Sequence, residues 1–138
     1  MRIMAIDYGD AHTGIAISDP TGFLAGFTTV NSAYRPEVVA EQIAALAKEH
    51  GVEELVLGHP INMDGTRGPR SEKAQAMKAL LEETTSLPVV LWDERRTTID
   101  AHQILMNSGK NAKKRKKVVD AVAATLILEG YLTYKKSH

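Results

Sequence analysis

The first eighteen residues alternate between two faces, and after Pro36 the apolar positions switch to a helical period. In Arg2-Ile-Met-Ala-Ile-Asp7, Ile3 and Ala5 share a face with Asp7, because strand side chains alternate. Gly9 and Gly14 bracket a turn, and Gly14 to Ser18 reads as the returning strand of a hairpin with Asp7 at one end. Pro20-Thr-Gly22 is a turn signal, after which Phe23, Ala25, Phe27 and Thr29 alternate with Leu24, Gly26, Thr28 and Val30 as a third strand. Val39, Ile43, Leu46 and Ala47 recur at helical spacing from Pro36 to His50, with Pro36 suited to a first turn and Gly51 to a stop. Glu54 to Gly58 reads as a strand, Ser71 to about Thr84 as a helix with Ala74, Met77, Leu80 and Leu81 inward, and Val89 to Trp92 as a strand after Pro88. A short helix follows from Thr98 to Ser108, capped by Thr97 or Thr98 and stopped by Gly109. The last helix is expected from about Val118 to Tyr134, apolar on nearly every side of its first half and therefore buried against a sheet.

Three antiparallel strands, then helix, strand, helix, strand and a closing helix, predict an α/β fold with one mixed five-stranded sheet flanked by helices. At 138 residues the chain has the size of a single domain, residues 1–138, without an internal repeat or interdomain linker. A composition 43% hydrophobic and 25% charged, with ten glycines and five prolines, excludes collagen-like, low-complexity and largely disordered classes. Cysteine is absent, which excludes disulfides and thiolate metal sites and fits a reducing compartment. No apolar run approaches about 18 residues and the start lacks signal-peptide features, so a soluble cytoplasmic protein is expected.

Charge changes the picture more than composition does. Seventeen bases balance seventeen acids, but six of the bases lie between Lys110 and Lys117. Without those six, 11 bases face 17 acids, so one short segment is strongly positive on an otherwise acidic chain.

Three acids occupy positions that packing alone would not choose: Asp7 at a strand end, Glu94 in Trp92-Asp-Glu-Arg-Arg96, and Asp120 in the apolar last helix. Glu94 emerges at the carboxyl end of a parallel strand, where open α/β sheets place their sites. Carboxylates brought together repel unless cations bind between them. Mg²⁺ or Mn²⁺ suits an oxygen-only set, and two such ions would assist phosphodiester hydrolysis by activating water and stabilising the leaving oxygen. Taken singly, each acid has a structural alternative: Asp7 as a turn acid, Glu94 as a member of a surface ion-pair cluster, Asp120 as an acid favoured near a helix N-terminus.

The stretch Gly58 to Ser71 holds Asn62, Asp64, Gly65, Thr66, Arg67, Gly68 and Arg70 between a strand and a helix, which makes it a candidate substrate loop or an ordinary long surface loop. It does not match a Walker sequence. Lys113, Lys114, Arg115, Lys116 and Lys117 directly precede the helix carrying Asp120 and lack interleaved aromatics, so they are expected to hold a nucleic-acid backbone without reading bases. Arg95 and Arg96 are candidates for bidentate phosphate contacts. His12, His50, His102 and His138 share no ligand spacing and read as structural or exposed, and Trp92 reads as core.

Asp7-Tyr-Gly9 with Gly14, Leu57-Gly-His-Pro-Ile-Asn-Met-Asp-Gly65, Trp92-Asp-Glu-Arg-Arg-Thr-Thr98 and Lys113-Lys-Arg-Lys-Lys-Val-Val-Asp-Ala-Val-Ala-Ala124 closely resemble the motifs of the YqgF family, also called RuvX. The resemblance covers essentially the whole chain. It implies an RNase H-like fold similar to RuvC-type Holliday-junction resolvases, and a nuclease that completes the 5′ end of 16S ribosomal RNA from its precursor. It also implies metal-binding roles for Asp7, Glu94 and Asp120. His59 departs from the pattern, which more often has Leu between Gly and Pro; a tolerated surface substitution is expected, with phosphate contact or help in proton transfer as the alternative. Two other readings stay open. Asp-x-Gly followed by Thr13 and Gly14 also resembles the phosphate loop of sugar kinases, heat-shock chaperones and actins, which need two such domains around ATP. The acids could instead be residual in a non-catalytic RNA-binding or ribosome-assembly factor. Structured RNA and branched DNA are the expected partners, and the oligomeric state is open.

Overall fold

The computed structural model describes residues 1–9, 12–19, 25–33, 35–59, 69–93 and 112–137. Its elements in chain order are β1 (Arg2–Asp7), β2 (Thr13–Ser18), β3 (Ala25–Asn31), α1 (Pro36–His50), β4 (Val52–His59), α2 (Pro69–Thr85), β5 (Val89–Asp93) and α3 (Ala112–Ser137). The strands form one sheet in the order β3-β2-β1-β4-β5. Pairing is antiparallel from β3 through β2 to β1 and parallel from β1 through β4 to β5, as the order of elements predicts.

Boundaries differ from the sequence expectation where tertiary contacts extend an element. Gly51 closes α1 in the left-handed conformation at φ 66, turning the chain so sharply that Val52 already joins β4 and the core. The larger correction is α3, which begins at Ala112 rather than near Val118, so the basic run is helical and not a connection. Lys and Arg are good helix formers, and neither Gly nor Pro interrupts residues 112–117. The expected helix from Thr98 to Ser108 and the start of the third strand at Phe23 lie outside the described residues.

Alternation divides the sheet into two unlike faces. Met4 and Ile6, Ile15 and Ile17, and Leu55 and Leu57 point toward α1 and α2, where they meet Val39, Ile43, Met77 and Leu81. Each fully buried aliphatic side chain there contributes about 1.5–3 kcal/mol relative to exposure. The opposite face carries Ile3, Ala5, Ala16 and Val56 and is covered by Ala124, Ile127, Leu128, Tyr131 and Leu132 of α3. Small residues let α3 approach closely: a Cβ added at Gly130 would lie 3.3 Å from the Trp92 ring.

The amino-terminal end of β1 is tied by specific bonds. The Ile3 N–H donates to Ser18 Oγ at 2.8 Å, and Arg2 Nη1 donates to the His50 carbonyl at 2.7 Å. Lys135 of α3 meets Glu54 at the start of β4 at 3.1 Å, and the Leu55 N–H reaches the Pro88 carbonyl at 2.9 Å.

Candidate functional site

Because β1, β4 and β5 run parallel, their carboxyl ends share one edge of the sheet, and β2 begins and β3 ends at that same edge. Asp7 is the last residue of β1. It pairs across to Gly14 on β2, and since Ile6 pairs with Leu57, the next position of β4 beside Asp7 is Gly58, which in turn pairs with Trp92. The row on the α3 face therefore reads Gly14, Asp7, Gly58, Trp92. Strands lie about 4.8 Å apart, so Asp7 and Trp92 are separated by roughly 10 Å of backbone across a position without a side chain.

The two glycines explain a departure from the alternation argument. The face predicts a buried acid, yet Asp7 is only half-buried. The strand ends there, and neither neighbour carries a side chain to cover the carboxylate. Among the described residues, no cation forms an ion pair with Asp7, and no three His, Asp or Glu side chains gather as a metal site. Glu94 follows β5 directly but lies outside the described residues.

Asp120 is placed through the backbone of α3, one helical turn before Ala124 in the layer packed on the sheet. The far end of α3 is anchored where Lys135 meets Glu54, itself paired with Ile3 at the start of β1. Asp120 is fifteen residues from that anchor, about 22 Å along the helix. Both Asp7 and Asp120 thus lie away from the tied end. Lys113 to Lys117 occupy the first two turns of α3, while Asn62, Arg67, Arg95 and Arg96 lie outside the described residues.

The turn after β1 is tight. A Cβ at Gly9 would collide with the carbonyl oxygen of His12, so this close approach requires glycine. His12 Nδ1 lies 3.2 Å from Ser32 Oγ, just past β3, so His12 has a partner at this edge that its spacing did not reveal. Thr13 is fully buried, and its Oγ1 has no hydrogen-bond partner among the described residues. Tyr8 packs against the core under α1 and α2, on the opposite face from Asp7.

Trp92 behaves largely as the sequence reading has it. It packs on the α3 face with its ring centroid 5.7 Å from Tyr131 and 5.8 Å from Tyr134, both in edge arrangements. Burial, followed by a hydrogen bond and negative charge from Glu54, pushes the Tyr131 phenol well above its ordinary value. Gly58 is the site position that sequence reasoning missed. It sits in the Leu57-Gly-His-Pro motif, but only strand register makes it the neighbour of Asp7.

The model of the family described as "RuvX: Holliday junction resolvase" matches residues 1–134. A protein of Halothermothrix orenii named "Putative pre-16S rRNA nuclease" is 44% identical over 135 residues, covering 98% of this chain and 96% of its own. Relatives of the same name from Clostridium botulinum and Bacillus licheniformis are 46% and 42% identical, each over 96% of both chains. Among solved structures, T. thermophilus RuvC in complex with Holliday junction substrate aligns over 99% of this chain and 96% of its own, with a TM-score of 0.66 at 14% identity. Fowlpox virus resolvase aligns over 98% and 99%, with a TM-score of 0.64 at 12% identity. At such identities the likeness establishes the fold, which is RNase H-like.

Proposed function

This chain belongs to the RuvX family, and from that premise we propose that it is a nuclease hydrolysing phosphodiester bonds in the precursor of 16S ribosomal RNA, at its 5′ end. The observation that carries the reading is the row Gly14, Asp7, Gly58, Trp92: a half-buried carboxylate with open positions on both sides, at the carboxyl edge of the sheet. That edge is where open α/β sheets receive ligands.

Asp7, Glu94 and Asp120 would together hold a divalent ion, Mg²⁺ or Mn²⁺, and a second ion beside it. The donors fit: they are all carboxylate oxygens, and the glycines leave room at Asp7 for a cation and a phosphate. When bound, such ions lower the pKa of a coordinated water and stabilise the leaving oxygen. The protein's own contribution is positional. Asp7 is fixed at the end of a central strand, and Asp120 is carried on a helix packed across the same face. Arg95, Arg96, Asn62 and Arg67 are the candidates to orient the phosphates on either side of the bond.

The helical placement of the basic run adds support. Lys113, Lys114 and Arg115 fall in the first turn of α3, where positive charge opposes the helix dipole at a cost of up to about 1 kcal/mol each. A bound phosphate backbone offsets both that cost and their mutual repulsion. Lys113, Lys114, Arg115, Lys116 and Lys117 would then hold the backbone along the helix bearing Asp120.

A second substrate is favoured by the family's description as a Holliday junction resolvase. Incubating the protein with pre-16S RNA and with a four-way DNA junction, each with Mg²⁺ or Mn²⁺, separates the two. The expected result is Mg²⁺-dependent cleavage of the RNA that falls by roughly 100-fold or more in Asp7→Asn, the scale for removing one electrostatic stabiliser. Preferential cutting of the junction would move the substrate to branched DNA. Tight RNA binding without cleavage under either ion would make the protein a ribosome-assembly factor.

A further inference from the structure

Across the sheet from Asp7, a second feature lies at the same carboxyl edge. An open cavity of about 410 Å³ is formed between Tyr8, the first turn of α1 and one side of α2, within the roughly 300–1,000 Å³ usual for small-molecule clefts. Tyr8, Met77 and Leu80 supply an aromatic and aliphatic wall, and Glu37 and Lys73 supply an exposed carboxylate and ammonium. We infer that this cavity takes an unpaired nucleobase of the nucleic-acid substrate, from a nucleotide close to the bond that is cut.

The inference rests on the nuclease reading and follows from strand geometry. Asp7 and Tyr8 are consecutive, so alternation sends Asp7 to the α3 face and Tyr8 to the face of α1 and α2. A strand of nucleic acid whose backbone reaches Asp7 therefore has the cavity within a neighbouring nucleotide's reach. The lining chemistry fits a base better than a purely apolar ligand. A flat ring stacks on an aromatic side chain, an exocyclic amino group donates to a carboxylate, and a ring carbonyl accepts from an ammonium. The base must be unpaired, since its edge and one face are both used. The walls stand on two helices whose inner sides are held in the core through Val39, Ile43, Met77 and Leu81, so the backbone that shapes the cavity is fixed by packing.

The test places the fluorescent base 2-aminopurine at each position in turn on both sides of the cleaved bond of an RNA substrate, and measures binding without divalent ion. One position near the cut is expected to change its emission on binding. That change is expected to persist in Tyr8→Phe and to vanish in Ala76→Gln, which fills the cavity from an exposed position of α2 and leaves the core untouched. An abasic residue at that position is expected to weaken binding about 10-fold in the wild type and little in Ala76→Gln. Identical emission profiles and affinities for wild type and Ala76→Gln overturn the inference. If the wild type cleaves the RNA normally while no position responds, only the base pocket fails; if it neither binds nor cleaves, the nuclease reading fails with it.

Discussion

Strand β2 starts and finishes on a buried hydroxyl, and the two are treated differently. Ser18, at the end where β1 begins, accepts the Ile3 N–H at 2.8 Å. Thr13, at the end where β1 finishes, is fully buried, and its Oγ1 has no partner among the described residues. The contrast extends across the sheet. At the Ser18 end, Arg2 is bonded to the His50 carbonyl and Lys135 to Glu54, although Arg2 Nε itself lacks a partner among the described residues. At the Thr13 end sit a half-buried carboxylate flanked by glycines, the His12 and Ser32 pair, and a cavity. One end is closed by specific bonds, and the other leaves a half-buried carboxylate and open space at the sheet's carboxyl edge, where α/β sheets receive ligands.

Exchanging the two kinds of end gives the strongest test. Asp7→Asn should abolish cleavage while leaving the thermal midpoint near that of the wild type. Ser18→Ala should do the reverse: orphaning the buried Ile3 N–H costs about 1–3 kcal/mol, a fall of several degrees in Tm by calorimetry, with activity per folded molecule retained. Equal loss of activity in both variants would show that the two ends are not separable. Next in size is Thr13→Val, which removes a hydroxyl without a partner among the described residues at nearly constant shape and should raise stability by up to about 1 kcal/mol in urea unfolding. A loss of stability instead would mean that Thr13 Oγ1 is hydrogen-bonded in solution.

The smallest effect belongs to the tied end's outer contact. Lys135 pairs with Glu54 and lies 5.5 Å from the Tyr131 ring centroid, both partly exposed to solvent. Lys135→Ala should therefore cost only about 0.5 kcal/mol, a difference that shrinks as salt is added. Tyr131 gives the same region a pH signature. Its folded-state value is raised, so its contribution is present below the ordinary tyrosine value of 10.0 and is lost as pH rises beyond it. Alkaline unfolding followed by circular dichroism should show that decline, and Tyr131→Phe should flatten it.

The strand and helix order was legible because the apolar periods are clean. Ile3, Ala5, Val39, Ile43, Met77 and Leu81 all face inward where alternation or helical spacing puts them. The start of α3 was misjudged because a run of cations reads as a solvated connection, whereas helix propensity favours continuing through it. Asp7 was legible as an acid on an apolar face, but its partial exposure was not, since that depends on which residues stand beside it.

The elements, the two faces of the sheet and the acids most suited to chemistry could be read along the chain, because local periodicity and residue type suffice for these. It took the packed fold to show that Gly14 and Gly58 flank Asp7, that Tyr8 opens onto a cavity on the other face, and that Ser18, unlike Thr13, has a partner among the described residues. Those facts depend on register between strands as much as 51 residues apart in the chain, as with Ile6 and Leu57 beside Asp7, or on a helix packed from its far end. No local pattern encodes that spacing.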